Sequence, residues 1–512
     1  GTLVAMTKAP GTSPESVRGL GPMTAAALVF GSSAAVLVVE LAALRLLAPY
    51  LGLTLETSTI VIGIALAAIA TGSWAGGRAA DLMPPRRALG LLLAISGVAV
   101  AATPFLVRAA GETGGSGAAL LMAIVAILVP GALLSAVSPM VTKLVLTDLA
   151  ETGSVVGRLS GIGTVGAIAG TVLTGFVFLA ALPVSSVLVA TGVLLVLAAA
   201  AVEVAVRGAR AAVVPLVLLV PGALGAAYGP GRCEAETVYH CAQVQVDPAR
   251  ESGRVLVLDS LRHSYVDLDD PTHLEFQYVQ ALAAVADTAF PAGEPLEAYH
   301  LGGGGLTFPR YLERVRPGTV SVVSEIDRGV LAIDERDLGL VTGPAMDVRI
   351  EDARLGLRSL DPDSRDLVVG DAFGGISVPW HLTTREALTD VQRVVRPGGI
   401  YAANLIDFAP LSFARAELAT MRTVFEHVAV ASDAETLGRE VGSGGNVVAI
   451  ASDEPLDLEA LRSGVDAQGL EWEVVEGAVL DAWIGDSPVL TDDFAPVDQL
   501  LTPYPSARRP VA

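Results

Sequence analysis

The stretch "YHLGGGGLTFPRYL", residues 299–312, decides the fold of the C-terminal half of the chain. A short apolar run of strand length leads into four consecutive glycines, and a helix-like segment follows them. Such a turn needs positive φ angles and little side-chain bulk, and Gly302–Gly305 provide both. In a doubly wound sheet, the turn from a strand into a helix binds nucleotide-like ligands. Glycine-rich turns also serve packing, so the interpretation depends on the surrounding sequence.

Predicted strands and helices alternate along the chain around this turn. We place strands at 298–301, 319–324, 347–350, 366–370 and 399–405, with later ones near 427–431 and 446–451. We place helices at 307–315, 328–337, 384–395 and 411–425. This alternation predicts a parallel sheet with helices on both faces, a doubly wound Rossmann-like α/β domain. A small β unit over 234–267 precedes it.

Three carboxylates follow successive predicted strands of this domain. Glu325 ends the second strand in "VVSEID", about twenty residues after the glycines, where an acid can accept the ribose hydroxyls of a nucleotide. Asp352 follows the third strand in "RIEDA", where a carboxylate can take an adenine amino proton. Asp371 follows the fourth strand in "DLVVGDAFGG", at the mouth of the predicted cleft. One such acid is typical of a solvated strand end, whereas three in succession predict a nucleoside site.

The N-terminal half has the composition of a membrane domain. The chain has 512 residues, 52% of them hydrophobic and 17% charged. Residues 1–230 carry 11 of the 33 Lys/Arg and 8 of the 54 Asp/Glu, which leaves 22 and 46 for residues 231–512. The first part is therefore slightly positive, and the second is strongly acidic. Two bodies in different solvents explain this division.

Seven apolar segments approach the length that crosses a bilayer. They lie at 22–48, 57–79, 88–108, 117–147, 157–181, 184–206 and 211–228. They predict an all-α polytopic membrane bundle over 22–230, with Pro130 and Pro139 kinking the fourth helix. Small residues in the fifth segment predict close helix packing. Glu40 and Arg45 lie in or at the edge of the first helix, where charges are costly and usually functional, although pairing or snorkelling also explains them.

Other features narrow the class of partner. The acidic C-terminal half disfavours nucleic acid, because phosphates would be repelled, and it tolerates a polycation. Cys233 and Cys241 match no zinc spacing and no metal site is predicted; whether they pair stays open. Residues 1–21 lack the apolar core of a cleavable signal, and we interpret them as a mobile N-terminus.

Residues 234–407 resemble the spermidine synthases, the polyamine aminopropyltransferases on the class I AdoMet-methyltransferase fold. The matching pieces are "VLVLDS", "EFQY", "LGGGGLTFPR", "VSEID", "EDA" and "DLVVGDAF". The whole chain resembles membrane-fused spermidine synthase-like proteins. The resemblance implies a small amine substrate, and decarboxylated S-adenosylmethionine, or S-adenosylmethionine itself, as co-substrate.

The resemblance also implies a role for each site residue. The nucleoside would be held by the glycine turn and by residues of neighbouring strand ends: Gly302, Gly303, Gly304, Glu325, Asp352, Ala353 and His263. Asp371 would be the base that deprotonates the attacking amine, and Tyr278 would border the amine pocket. Glu275 is a further candidate for orienting the amine, and His263 for a second base.

The sequence departs from the family at three positions that would contact the donor or the acceptor. Gly305 stands where the family has an aspartate that binds the amine of the donor, and Gly374 stands in place of a second carboxylate after Asp371. His263 occupies the place of a donor-binding glutamine. The resemblance and Asp371 make an aminopropyltransferase the first hypothesis. The missing aspartate at Gly305 makes an AdoMet-dependent methyltransferase the second, and a non-enzymatic membrane transporter or sensor that binds a nucleoside is the third.

These elements predict four regions and a location. They are the mobile N-terminus 1–21, a transmembrane domain 22–230, a small β unit with a linking helix 231–296, and a transferase domain 297–512. Basic residues cluster after the second, fourth and sixth helices, which predicts a multi-pass plasma-membrane protein with its N-terminus inside. Seven helices would place the C-terminal half outside the cell, whereas its donor is made in the cytosol. The side of that half, and any assembly of identical chains, stay open.

Overall fold

The computed structural model describes residues 21–51, 55–111, 116–146, 149–218, 233–259, 261–375 and 377–502. The chain divides into two compact units, and the main boundary falls between residues 230 and 231. A short segment, Leu47–Ser58, groups with the second unit. The predicted mobile segment 1–21 lies outside the described residues except for Gly21.

The first unit is built from helices. They are Pro22–Leu51, Leu55–Leu82, Pro85–Gly111, Ser116–Ser135, Val137–Val145, Thr152–Leu173 and Val184–Arg207, with short turns of helix at Leu149–Glu151, Thr174–Phe178, Leu179–Ala181, Ala209–Ala212 and Val213–Val217. Within the described residues, six stretches are long and apolar enough to cross a membrane, with mean hydropathies from 1.7 to 2.5. This unit matches the predicted all-α bundle.

Two predicted helices differ from the structure. The segment 117–147 is divided at Ala136 into Ser116–Ser135 and Val137–Val145, although Ala136 keeps helical angles and Ile124–Val145 forms one apolar span. Pro139 lies in the first turn of the second piece, where its missing N–H has no partner to lose. Of the predicted helix 211–228, Val213–Val217 is helical, and residues 219–232 lie outside the described part of the chain.

Glycines bring pairs of these helices into backbone contact. A Cβ placed on Gly166 would lie 2.3 Å from the carbonyl oxygen of Phe30, and one on Gly72 would lie 2.1 Å from that of Ala132. Neither position accepts a side chain without moving a helix. The small residues therefore serve close packing, as the sequence predicts.

The second unit opens with a small antiparallel sheet. Its strands are β1 (Ala235–Glu236), β2 (Cys241–Val246), β3 (Gly253–Leu258) and β4 (Leu261–Asp267), paired in chain order. Cys233 and Cys241 form a disulfide, which resolves the open question of their pairing. The helix Gln277–Ala289 lies between this sheet and the main one, within the region 231–296 for which we predict a small β unit and a linking helix.

The main sheet has eight strands. They are β5 (Glu297–Leu301), β6 (Val320–Glu325), β7 (Met346–Ile350), β8 (Arg365–Gly370), β9 (Val395–Phe408), β10 (His427–Asp433), β11 (Gly444–Ser452) and β12 (Trp472–Glu476). Their order is β12-β10-β11-β9-β8-β5-β6-β7. Strands β5 to β9 pair with one another in parallel, whereas β11 pairs with β9 and β10 pairs with β11 and β12 in antiparallel fashion.

Helices cover both faces of this sheet. They are Thr307–Val315, Arg328–Asp337, Ala353–Ser359, Arg385–Val394, Ser412–Met421, Ala434–Gly438, Leu458–Ala467, Gly477–Ile484 and Val497–Leu500. Alternate residues of β8 enter opposite cores: Val368 packs on one face, and Leu367 and Val369 pack on the other. The predicted fold class is confirmed: a helical N-terminal unit and a doubly wound α/β unit preceded by a small β sheet. Because the strand order reverses between β5 and β8, ligands are expected at the carboxyl ends of those two strands.

Candidate active site

The glycine turn after β5 is a fixed structure. Gly302 and Gly304 have φ angles of +93° and +49°, which glycine adopts without strain. A Cβ on Gly302 would lie 2.4 Å from the backbone oxygen of Asp371, so the turn passes directly against the end of β8. The backbone N–H groups of Gly303 and Gly304 donate to Oε2 of Glu325 at 3.0 and 3.3 Å.

Glu325 holds this turn from the end of β6. Its other oxygen, Oε1, accepts the backbone N–H of Asp327 at 2.7 Å. Burial raises the pKa of the Glu325 carboxyl, and the three backbone donors oppose that shift. Oε2 accepts two of these N–H groups, whereas Oε1 accepts one and keeps a further acceptor site, so a ribose hydroxyl can still bind at Oε1. Glu325 thus lies at the predicted place, and it also fixes the glycine backbone, a role that the sequence analysis missed.

Asp352 lies at the opposite wall of the cleft. Its Oδ1 accepts the N–H groups of Arg354 and Leu355 at 3.0 and 3.1 Å and so caps the helix Ala353–Ser359. His381 donates from Nε2 to Oδ2 of Asp352 at 2.8 Å. The sequence analysis identified neither the cap nor His381, although "ED" before a helical run is a recognisable capping signal.

The segment that contains Asp492 is anchored beside this wall. Asp492 receives two hydrogen bonds from the guanidinium of Arg354, each 2.8 Å long, and a third from Thr384 at 2.7 Å. Arg354 is 7% exposed. A bidentate pair of this kind holds both groups in one orientation. The segment that contains Asp492 is therefore docked against the helix that Asp352 caps.

Asp371 is held by two neutral donors. The Tyr278 hydroxyl donates to Oδ2 at 3.1 Å, and the Asn404 amide donates to Oδ1 at 2.9 Å. Burial raises the pKa of Asp371 to about 6, and both hydrogen bonds oppose the rise. A carboxylate with this pKa is mostly ionised at neutral pH and is basic enough to accept a proton from a bound ligand.

A second amide supports the first. Asn446 on β11 donates to the side-chain oxygen of Asn404 at 2.8 Å, which leaves the amide nitrogen of Asn404 directed at Asp371. The two strands are antiparallel neighbours in the sheet, so the pairing places both side chains at one edge. Asn446, Asn404, Asp371 and Tyr278 therefore form one continuous chain of hydrogen bonds.

Two adjoining clefts meet at Asp371. The first, which we call the nucleoside cleft after the sequence prediction, is lined by the predicted residues Gly302, Gly303, Gly304, Glu325, Asp352, Ala353 and His263, with apolar walls from Ile326, Pro379 and Leu382. The second, which we call the acceptor cleft on the same basis, is lined by Tyr278, Glu275, Arg262, Phe276, Asn404 and Asn446. Asp371, His263 and Phe373 line both clefts. All ten predicted site residues are therefore brought into this region.

His263 borders both clefts as a neutral group. Burial, and then the proximity of His240, lower the pKa of His263 to about 4. Its Nδ1 is buried and has no hydrogen-bond partner within the described residues. Since a base with this pKa binds a proton weakly at neutral pH, the geometry favours Asp371 over His263 as the base.

Glu275 lies at the exposed rim of the acceptor cleft. Its carboxylate lies 3.4 Å from Nε2 of His273. Arg262 stands at the same cleft, with its guanidinium 5.3 Å from the ring centre of Phe276. The rim thus carries both signs of charge.

Gly305 and Gly374, which stand where the family has carboxylates, have different surroundings. A Cβ on Gly305 would lie 2.9 Å from Cβ of Ser264, whose hydroxyl accepts the Gly305 N–H at 2.9 Å. A Cβ on Gly374 would meet only the backbone oxygen of Ser377, at 3.9 Å. Ser264 therefore fills the space at the first position, and the second is open. Within the described residues, no cluster of His, Cys, Asp and Glu could hold a metal ion.

Comparison with known proteins places this site in context. No protein-family model matches the chain. The polyamine aminopropyltransferase of Vibrio vulnificus is 28% identical over 242 residues, which cover 46% of this chain and 79% of that protein. The polyamine aminopropyltransferase of Halorhodospira halophila is 31% identical over 162 residues, which cover 31% of this chain and 55% of that protein. The C-terminal half is spermidine synthase-like. The resemblance that the sequence motifs predict is confirmed.

One solved structure is also among the similar proteins. The crystal structure of a probable spermidine synthase from Corynebacterium glutamicum is 28% identical, and the alignment covers 50% of this chain and 95% of that one, with a TM-score of 0.47. The spermidine synthase-like half is the part of this chain that carries the two clefts and Asp371.

Proposed function

We propose that the protein is a membrane-anchored transferase that moves an aminopropyl group from decarboxylated S-adenosylmethionine to an amine. The observation that carries this proposal is the position of Asp371. One carboxylate, with its pKa raised to about 6, separates a nucleoside cleft from a second cleft that opens beside it. A two-substrate transfer needs this arrangement, because donor and acceptor must meet at one base.

In this proposal the donor occupies the nucleoside cleft. Glu325 accepts a hydrogen bond from a ribose hydroxyl at Oε1, and Asp352 and Ala353 border the adenine. The turn Gly302–Gly304 lets the donor approach the backbone. His263 lines the cleft near the position of the sulfonium, and as a neutral imidazole it adds no positive charge beside that cation.

The chemical step needs alignment and one proton acceptor. The carbon next to the sulfonium is already activated, so the nitrogen of the acceptor must lie in line with the carbon–sulfur bond. An ammonium has no lone pair, and Asp371 takes its proton. The nitrogen then forms a bond to the carbon, the carbon–sulfur bond breaks, and its electron pair stays on the sulfur of the departing methylthioadenosine. Tyr278 and Asn404 keep the carboxylate oriented throughout.

In this proposal the acceptor is an amine other than putrescine, or the protein selects putrescine less strictly than the spermidine synthase pattern implies. The acceptor cleft has Asn404 and Asn446 on its inner wall, and its acid apart from Asp371 is Glu275 at the rim. A small diamine needs a carboxylate for its second ammonium, and Gly374 supplies none. We therefore expect weaker selection for a short diamine than the spermidine synthase pattern implies.

One observation favours a second candidate, an AdoMet-dependent methyltransferase. Gly305 replaces the aspartate that would bind the amine of the decarboxylated donor. Ser264 fills the space in front of Gly305. A donor that keeps its carboxylate has no need of an acid at that place. The choice of donor separates the two reactions.

The membrane anchor in this proposal is the N-terminal unit, with its six apolar helices. Six spans return the chain to the side of the N-terminus, and a seventh within 211–228 would place the second unit on the other side, where the Cys233–Cys241 disulfide persists. Labelling of single cysteines that replace Arg86, Ser185 and Asp453 decides this. Arg86 and Ser185 positions must react from opposite sides, and the Asp453 position reports the side of the second unit.

The test of the function is product analysis by mass spectrometry. The purified full chain is supplied with decarboxylated S-adenosylmethionine or with S-adenosylmethionine, and with a panel of monoamines, diamines and amino acids. We expect methylthioadenosine and an aminopropylated amine from the decarboxylated donor. S-adenosylhomocysteine and a methylated amine would establish the methyltransferase instead. No consumption of either donor with any amine would refute both.

A further inference from the structure

A polar groove lies within the helical unit. Four segments line it: Pro22–Leu51, Leu55–Leu82, the pair Ser116–Ser135 and Val137–Val145, and Thr152–Leu173. Seven hydroxyl side chains face it: Ser32, Ser33, Ser73, Ser135, Ser138, Ser160 and Thr164. We call this feature the hydroxyl groove. Its other lining residues within the described part of the chain are Val, Leu, Ile, Ala and Gly, and none is a cation.

Ser135 gives the groove a hydroxyl group that is not hydrogen-bonded to the described part of the protein. This residue is 7% exposed, and its hydroxyl has no hydrogen-bond partner within the described residues. Elsewhere in the helical unit, Ser96, Thr103 and Thr191 donate to carbonyl oxygens one turn back on their own helices. Those hydroxyls satisfy themselves, as is usual in apolar helices. The Ser135 hydroxyl is instead available to something in the groove.

The walls of the groove are held by tight backbone contacts. On one side, Gly166 and Gly170 pack directly on Phe30 and Ala34. On the other, Gly76 packs on Ala136, next to Ser135 in the chain. The two helices of each pair are already in backbone contact at these glycines. They cannot move closer together to fill the groove. The polar space between the pairs is therefore a built feature of the fold.

An unpaired acid lies one turn from the groove. Val36 and Leu37 line it, and Glu40 follows them at the i+4 and i+3 positions, which share a face of the helix. Glu40 makes no hydrogen bond or ion pair with any described residue. An ionisable side chain inside an apolar helix is costly, and a bound partner of opposite charge offsets that cost. The chemistry of the groove is thus many hydroxyl oxygens with one carboxylate at its flank.

We propose that the hydroxyl groove binds an organic cation of the alkylammonium class. An ammonium group carries three N–H donors and no acceptor, and hydroxyl oxygens each offer two lone pairs. Ser135 and its neighbours accept those donors, and Glu40 supplies the countercharge. The apolar residues of the lining accommodate the methylene chain that links one ammonium to the next. This second site goes beyond the proposed transferase and does not need the transferase to turn over.

The test is binding of radiolabelled spermidine and putrescine to the full chain in lipid nanodiscs. Glu40→Gln and the double variant Ser135→Ala/Ser138→Ala remove the charge and two hydroxyls of the groove. Loss of a charge-assisted hydrogen bond should weaken one class of site about tenfold or more. The matched control is Ser96→Ala, because Ser96 is bonded to its own helix outside the groove. Glu40→Asp, which keeps the charge, should restore most of the affinity.

Separate readouts distinguish this site from the transferase. Asp371→Asn should leave spermidine binding in the groove unchanged, and Glu40→Gln should leave binding of methylthioadenosine unchanged. Unfolding temperatures of all variants check that they are folded. Equal binding of spermidine by the parent and by both groove variants would overturn the proposal. So would equal competition by uncharged 1,4-butanediol, which would show a general polar pocket without selection for a cation.

Discussion

The nucleoside cleft and the acceptor cleft share Asp371, but they are built in different ways. The first is made of a backbone turn and of acids at strand ends, and its contacts run from Glu325 to the glycines and from Asp352 to its helix. The second is made of side chains from separate elements, with Tyr278 from a connecting helix and Asn404 and Asn446 from β9 and β11. The first cleft is thus built mainly from contacts close to its own strand ends, and the second from side chains that the folded chain brings together from separate elements.

The largest effect is expected at the residue that the clefts share. Asp371→Asn keeps the shape of the side chain but cannot take a proton, so turnover should fall by about 10²–10⁴-fold. Binding of methylthioadenosine, measured by calorimetry, should stay within about twofold of the parent because the nucleoside contacts are elsewhere. Asp466→Asn, an exposed acid on a helix outside the site, is the control. Undiminished turnover in Asp371→Asn would show that another residue is the base.

The next effect isolates the nucleoside cleft. Gly302→Ala places a Cβ 2.4 Å from the backbone oxygen of Asp371 at a φ angle of +93°. Clash and strain together should cost about 2–4 kcal/mol in affinity for methylthioadenosine. Gly293→Ala is the matched control, since Gly293 also has a positive φ of +73° but has open space around it. Equal losses in both variants would show that strain alone, and not the contact with β8, sets the cost.

A smaller effect is expected from the acid that holds the turn. Glu325→Ala removes the acceptor of three backbone N–H groups as well as the predicted ribose contact. Affinity for methylthioadenosine should fall by about 1.5–3 kcal/mol, the range for hydrogen bonds to a charged group. Glu426→Ala, on the surface, should change nothing measurable. Calorimetry that finds parent-like affinity in Glu325→Ala would remove Glu325 from the site.

The smallest effect belongs to the acceptor cleft and appears in the pH profile. Under the proposed mechanism, in which Asp371 is the base and burial raises its pKa to about 6, kcat/KM should fall about tenfold per pH unit below that value and level off above it. Asn404 donates to the ionised carboxylate and lowers its pKa, so Asn404→Ala should move the acidic limb to higher pH. Asn446→Ala should move it in the same direction by less. If the acidic limb of the pH profile stays in place in Asn404→Ala, Asn404 does not influence the pKa of the base.

Much of the donor side could be predicted from the sequence. The helices Thr307–Val315 and Arg328–Asp337 have the predicted bounds, and Glu325, Asp352 and Asp371 lie at the ends of β6, β7 and β8 as expected. These features follow from local rules: an apolar run predicts a strand, consecutive glycines predict a turn, and parallel strands end at one edge. Local rules suffice where each contact lies close to its own strand end.

The acceptor side could not be predicted in the same way. Asn404 lies 33 residues from Asp371, and Asn446 lies 42 residues from Asn404; an asparagine within a strand has no local signature of a partner. Their contact depends on the antiparallel pairing of β9 with β11, which the sequence pattern does not specify. His381 and the Arg354–Asp492 pair are similar cases, because both require the folded chain to bring distant segments together.

The most direct test of this account is a structure of the full chain with bound methylthioadenosine, determined by crystallography or electron cryo-microscopy. The account predicts the ribose on Glu325, the adenine beside Asp352 and Ala353, and the sulfur directed toward Asp371 at the junction of the two clefts. A nucleoside bound elsewhere, or one whose sulfur points away from Asp371, would contradict the assignment of the donor site and of the base.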